Sequence, residues 1–199
     1  MRTGKHVVTV AVVLAALTGG CSAAKDADDS KGAQQAAEAD AWGDPPAAAS
    51  AGKIGAACPL PVTFDLAGEW APEGVEDGLF DQGGFDLRCE IDAKPAGHLG
   101  FLRVWTGPGT DPAAALETFV KAEAGTAPIT DRRTRTTRLG DLPAVETTYL
   151  DTENERPERV LAVAAGDGIV ILTLAGVDTG EHKAMLPAYV LARQTISKS

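Results

Sequence analysis

Val160–Ala165 and Ile169–Ala175 are two runs, separated by Gly166-Asp167-Gly168, in which neighbouring as well as alternate residues are apolar. Successive side chains of a β-strand point to opposite faces, so neither run has a face to give to water. A glycine-rich turn between two such runs predicts a β-hairpin. The hairpin has to lie in the middle of a sheet covered on both sides, and the rest of the chain must supply the cover.

Candidate neighbours are legible. Leu99–Thr106 is also apolar on both faces, with Leu99, Phe101 and Trp105 on one and Leu102 and Val104 on the other. Arg103, among the first set, must reach the rim or find a carboxylate. Val62–Leu66 alternates, and Leu87–Asp92 alternates with Leu87, Cys89 and Ile91 facing inward. After the Gly140-Asp141 turn, Leu142–Asp151 places Val145, Thr147 and Tyr149 on one face. Thr130–Arg138 carries Arg132, Arg133, Arg135 and Arg138 among polar residues. It reads as a solvent-exposed edge strand whose charge blocks unwanted pairing, or as a candidate anion or partner surface.

Two segments have helical character. Asp111-Pro112 is an N-cap followed by proline at the first helical position, and Leu116, Phe119, Val120 and Ala124 form a buried stripe up to Gly125. Asp178 opens a last helix with Met185, Leu186, Tyr189, Val190 and Ile196 inward. Pro187 predicts either a start near Ala184 or a kink. The sum is an α+β sandwich over residues 55–199, a mostly antiparallel sheet of about six or seven strands with two helices packed on it.

The N-terminal part is of another kind. Arg2 and Lys5 precede the uncharged apolar run Val7–Leu17, which suits a secretory signal and is shorter than the roughly 20 residues that span a bilayer. Thr18-Gly19-Gly20-Cys21 then resembles a lipobox, so 1–21 is read as a lipoprotein signal with Cys21 as the acylated anchor. Thr18 stands where a large aliphatic residue is expected. Ordinary secretion is the alternative. Residues 22–54 hold twelve alanines and only two large apolar side chains, Trp42 and Ile54. A stretch like this cannot bury enough surface to offset its ordering entropy, and it reads as a disordered tether with Trp42 solvated.

Removing Met1–Gly20 takes two of the 18 basic residues, leaving 16 against 28 acidic ones, a net charge of about −12. That disfavours nucleic acid and anionic head groups as partners. Export makes Cys58 and Cys89 an even pair in an oxidising compartment, expected to be bonded. Two free thiols or a metal pair are the alternatives.

The opening segment Val62-Thr63-Phe64-Asp65-Leu66-Ala67-Gly68-Glu69-Trp70 resembles the start of PsbP-like domains. The paired cysteines and the run Cys89-Glu90-Ile91-Asp92-Ala93-Lys94-Pro95-Ala96-Gly97 resemble those of actinobacterial secreted lipoproteins of unknown function. The resemblance implies a non-enzymatic accessory or binding domain.

The residues themselves limit the chemistry. The serines fall in the tether or at the C-terminal end, away from a rigid site. His98 and His182 are the histidines of the domain and lack ligand spacing, so no metal and no cofactor is expected. Carboxylate chemistry stays open, because acids are plentiful. The expectation is a protein held by an N-terminal lipid on the extracytoplasmic face of the membrane. There it would act as a non-catalytic binding or assembly module toward an envelope protein, glycan or lipid. The alternative is a carboxylate-dependent hydrolase of envelope glycans, which requires a groove holding two acids, one with a raised pKa.

Overall fold

A computed structural model of the protein describes residues 42–199. The anchor region 1–21, with Cys21, and residues 22–41 of the expected tether lie outside the described residues.

Seven strands form the main sheet: β4 (Ala71–Gly74), β5 (Asp86–Asp92), β6 (Gly100–Pro108), β7 (Ile129–Leu139), β8 (Leu142–Asp151), β9 (Arg156–Ala165) and β10 (Gly168–Gly176). Two short strands precede them, β2 (Val62–Thr63) and β3 (Asp65–Ala67), with β1 (Ser50–Lys53) before both; β11 (Ser197–Lys198) ends the chain. The sheet order is β4-β5-β6-β10-β9-β8-β7, and every pairing is antiparallel. The β9–β10 hairpin is central and every residue from Glu158 to Ala165 is buried, as its two apolar faces require. The arginine-rich β7 is an edge strand.

Helix α1 (Pro112–Ala124) covers one face and helix α2 (Thr179–Thr195) the other. Asp111 caps α1, accepting from the amides of Ala113 and Ala114 at 2.9 and 3.3 Å. Under α1, Leu116 and Phe119 pack on Trp105, Val160, Ala162 and Ile171, with Phe119 edge-on to Trp105 at 5.4 Å. Under α2, Met185 and Tyr189 pack with Leu102, Leu161, Leu172 and Leu174. Each such fully buried side chain contributes roughly 1.5–3 kcal/mol.

Three expectations are corrected. Leu87, Cys89 and Ile91 do not share a face. The β5–β6 register shifts between Leu87 and Cys89, so Leu87 joins the core under α1 while Cys89 and Ile91 join the core under α2. A bulge residue at Arg88 reverses the alternation, and it points Cys89 at Cys58, to which it is bonded with Cα atoms 5.7 Å apart. Helix α2 starts at Thr179, not near Ala184, because the Asp178 carboxylate accepts from the Glu181 amide at 2.8 Å. Pro187 lies inside it, where the Lys183 carbonyl lacks the usual intrahelical donor. Finally, Trp42–Ile54 is not a coreless tether. Ile54 is buried, Ala47 and Ala48 pack on the core, the Ala48 amide donates to the Pro187 carbonyl at 2.9 Å, and β1 pairs with β3. Ser50 and Ser197 therefore sit in short strands rather than outside the fold, both exposed.

Candidate functional site

The four arginines singled out on β7 are not one strip. A register shift between Thr130 and Arg133 sets Arg132 toward α1, where its guanidinium grips the Glu117 carboxylate at 3.0 and 2.5 Å. Arg133 is exposed. Arg138 donates to the Asp141 carbonyl at 2.8 Å across its own turn. Arg135 goes to the α2 face and into a buried cluster that the sequence reading missed.

That cluster is centred on Glu146 of β8, whose side chain is 0% exposed. Arg135 pairs with it across the β7–β8 ladder. Arg159 of β9 donates its Nε to Oε1 at 2.9 Å, and Arg193 of α2 donates to Oε2 at 3.1 Å. The Tyr189 hydroxyl adds a bond to Oε1 at 2.7 Å. Asp44, from the N-terminal segment, meets the same arginines: 2.5 Å from Arg159, 2.8 Å from Arg193 and 3.3 Å from Arg135. The Trp42 ring lies 4.3 Å from the Arg135 guanidinium carbon and 5.3 Å from that of Arg159. It is stacked, not solvated. Burial raises the carboxyl pKa of both Glu146 and Asp44, but the charges of Arg159 and Arg193 outweigh it and hold both below the usual range. The missed signal was a Glu and an Arg at positions that central strands cover on both faces.

The α1 face holds a second group. Glu158 of β9 is 2% exposed; its Oε1 accepts from Arg156 Nε at 2.5 Å, while Oε2 is buried without a hydrogen-bond partner among the described residues. Burial, then the charge of Glu123, push its carboxyl up to about 7 against the pull of Arg156. Glu123, also raised by burial, accepts from the Tyr149 hydroxyl at 2.6 Å. In the unfolded chain Glu158 ionises near 4.3, so between that pH and about 7 the folded state keeps a proton the unfolded state has lost. Stability therefore falls as pH rises through this window and levels off above it. Glu158→Gln should leave stability unchanged at pH 4 and raise it by about 1–3 kcal/mol at pH 8, read by urea denaturation at the two pH values. An equal effect at both would refute the assignment.

His182, in the first turn of α2, is buried and its pKa is lowered to about 4 by burial and by Arg159 and Arg156. His98 is half-buried, with Nδ1 3.5 Å from the Glu181 carboxylate.

A groove of about 470 Å³ opens where β6 begins and β10 ends, lined among others by Lys94, Leu99, Phe101, Arg103, Arg156 and Val177. Leu99 and Val177 are large apolar side chains left exposed. Arg103 finds the carboxylate its position required, Glu90 across the ladder at 2.6 Å, and lies over the Phe101 ring at 5.0 Å. Arg156 links this groove to Glu158 behind it.

The chain is similar in structure to cyanobacterial PsbP from Synechocystis sp. PCC 6803, with a TM-score of 0.43 and 13% identity, covering 76% of this chain and 98% of that one. No curated protein matches it. A family model described as an uncharacterised lipoprotein matches residues 28–196, which take in both helices and the whole seven-stranded sheet. The chain belongs to that lipoprotein family.

Proposed function

We propose that the protein is anchored through a lipid on Cys21 to the extracytoplasmic face of the membrane and acts there as a non-catalytic binding or assembly module of the cell envelope. The observation that carries this reading is the groove just described. Exposed Leu99 and Val177 flank a surface bearing Lys94, Arg103 and Arg156, in a protein whose expected mature charge is about −12. An apolar rim with cations inside favours an amphiphilic or acidic envelope partner over a neutral one.

The anchor and the binding surface are tested together. The wild-type protein should take up radiolabelled palmitate and fractionate with membranes, while Cys21→Ala should do neither. Crosslinking in intact membranes should recover a partner that Leu99→Ser/Val177→Ser loses. Equal recovery by that variant would sink the binding surface, and an unlabelled wild type would sink the anchor.

The second reading, a carboxylate-dependent hydrolase, is favoured by one observation: Glu158 and Glu123 are coupled acids with raised pKa values. Against it, Glu158 is 2% exposed and its Oε1 is already engaged by Arg156. Glycan turnover by the wild type that disappears in Glu158→Gln would reverse the ranking.

A further inference from the structure

Helix α1 covers only part of its face of the sheet. Leu116 and Phe119 sit over Trp105, Val160, Ala162 and Ile171. Toward the start of β6 and the end of β10, Phe101, Ala175 and Val177 continue the same face outside that core and line the groove. The Val177 amide donates to the Leu99 carbonyl at 3.3 Å, which sets two side chains more than half exposed next to each other. The floor is backed from the other side by α2: a Cβ at Gly100 would lie 2.5 Å from Met185 Cε, and one at Gly176 2.7 Å from the His182 amide nitrogen. The groove is therefore preformed, and its apolar strip is open to water.

Its cations have donors to spare. Arg103 and Arg156 each give Nε to a carboxylate, Glu90 and Glu158, and among the described residues their terminal guanidinium nitrogens have no hydrogen-bond partner. The exposed Lys94 forms no ion pair among the described residues. A guanidinium fork matches a carboxylate. Asp92 in the groove, Glu90 beside Arg103, and Glu123, which feels the charges of both arginines, favour a head with one negative charge over a dianion. β6 lies between β5 and β10, and β10 between β6 and β9, so the floor has no free strand edge to pair with an extended peptide.

On the binding-surface reading above, we infer that the groove takes one single-chain carboxylate lipid, its head on Lys94, Arg103 and Arg156 and its tail along Leu99, Phe101 and Val177. The test is calorimetric titration of the full chain with dodecanoate below its micelle concentration. Binding should saturate at one site and weaken as sodium chloride rises from about 50 to about 500 mM. Octanoate, with a shorter tail, and dodecyl maltoside, with an uncharged head, should each bind about tenfold more weakly or worse. Lys94→Gln/Arg103→Gln and Leu99→Ser/Val177→Ser should each lose about tenfold for dodecanoate at an unchanged melting temperature, and should either variant fail to fold, the salt and chain-length series on the wild type decides alone. Dodecyl maltoside binding as tightly as dodecanoate, affinity indifferent to salt and to Lys94→Gln/Arg103→Gln, or displacement of dodecanoate by an equal concentration of hexaglutamate, the mark of an acidic peptide, would each overturn the inference. If dodecanoate does not bind while crosslinking still recovers a partner that Leu99→Ser/Val177→Ser loses, the lipid is wrong and the binding surface stands.

Discussion

Glu146→Gln should cost about 3–5 kcal/mol of folding stability, because it removes one partner of a buried ionic group and leaves the others in place. Arg135, Arg159 and Arg193 all donate to this carboxylate, as does Tyr189. An amide offers one acceptor oxygen and points two N–H donors at groups that are themselves donors. For a domain of this size the loss corresponds to a melting temperature lower by roughly 10–15 °C, read by denaturant titration and thermal unfolding together. Glu117→Gln is the internal control. Glu117 also faces an arginine bidentately, but its side chain is 63% exposed, and its loss should change stability by less than about 1 kcal/mol. If both variants fall within the same kilocalorie, the buried cluster is not what holds β8, β9 and α2 together. Acid should act in the same direction as the Glu146 substitution. Glu146 and Asp44 both have folded-state pKa values below their ordinary ones. The stability they confer is thus fully present above the usual carboxyl pKa and is lost as pH falls through the lowered values. This is the opposite sign to Glu158.

Reducing the Cys58–Cys89 bond should cost nearly as much. The bridge closes a loop with a sequence separation of 31, for which the chain-entropy model gives about 3–4 kcal/mol. It ties the Gly55–Ala57 turn and the start of β2 to β5, on the side of the sheet where the edge strand β4 makes only four pairings. Cys58→Ala/Cys89→Ala should show the same loss without reductant and should be indifferent to adding it. A wild type whose denaturation midpoint does not move on reduction would mean that the core under α2 holds this edge unaided.

How far the residues alone disclosed this molecule differs from element to element. The β9–β10 hairpin was readable because two apolar faces admit only a central, doubly covered position. Helix α1 was readable because Asp111, Pro112 and Gly125 mark its ends in the local sequence. The Arg88 bulge was not, since Leu87-Arg88-Cys89-Glu90-Ile91 has perfect alternation. Only the pairing with β6 and the position of Cys58 show that one residue must be skipped. Helix α2 was half legible: Asp178 was seen as its start, but Pro187 suggested a start near Ala184 or a kink, and the Asp178 cap sets the first turn at Thr179.

The candidate site was less legible than the fold, and for one reason. Arg135, Arg159, Arg193, Glu146 and Asp44 come from five separate places in the chain, and an isolated charge in a sequence carries no mark of the partner it will meet. Short-range periodicity and local capping residues determined most of the strands and the helices, because each depends on residues within a turn or two of one another. Which arginine faces water and which is buried, and whether Trp42 and Asp44 are tether or domain, were decided by tertiary packing. Electrostatic energy depends on distance through space, and only the closed sheet and its second helix bring those distances to hydrogen-bond length.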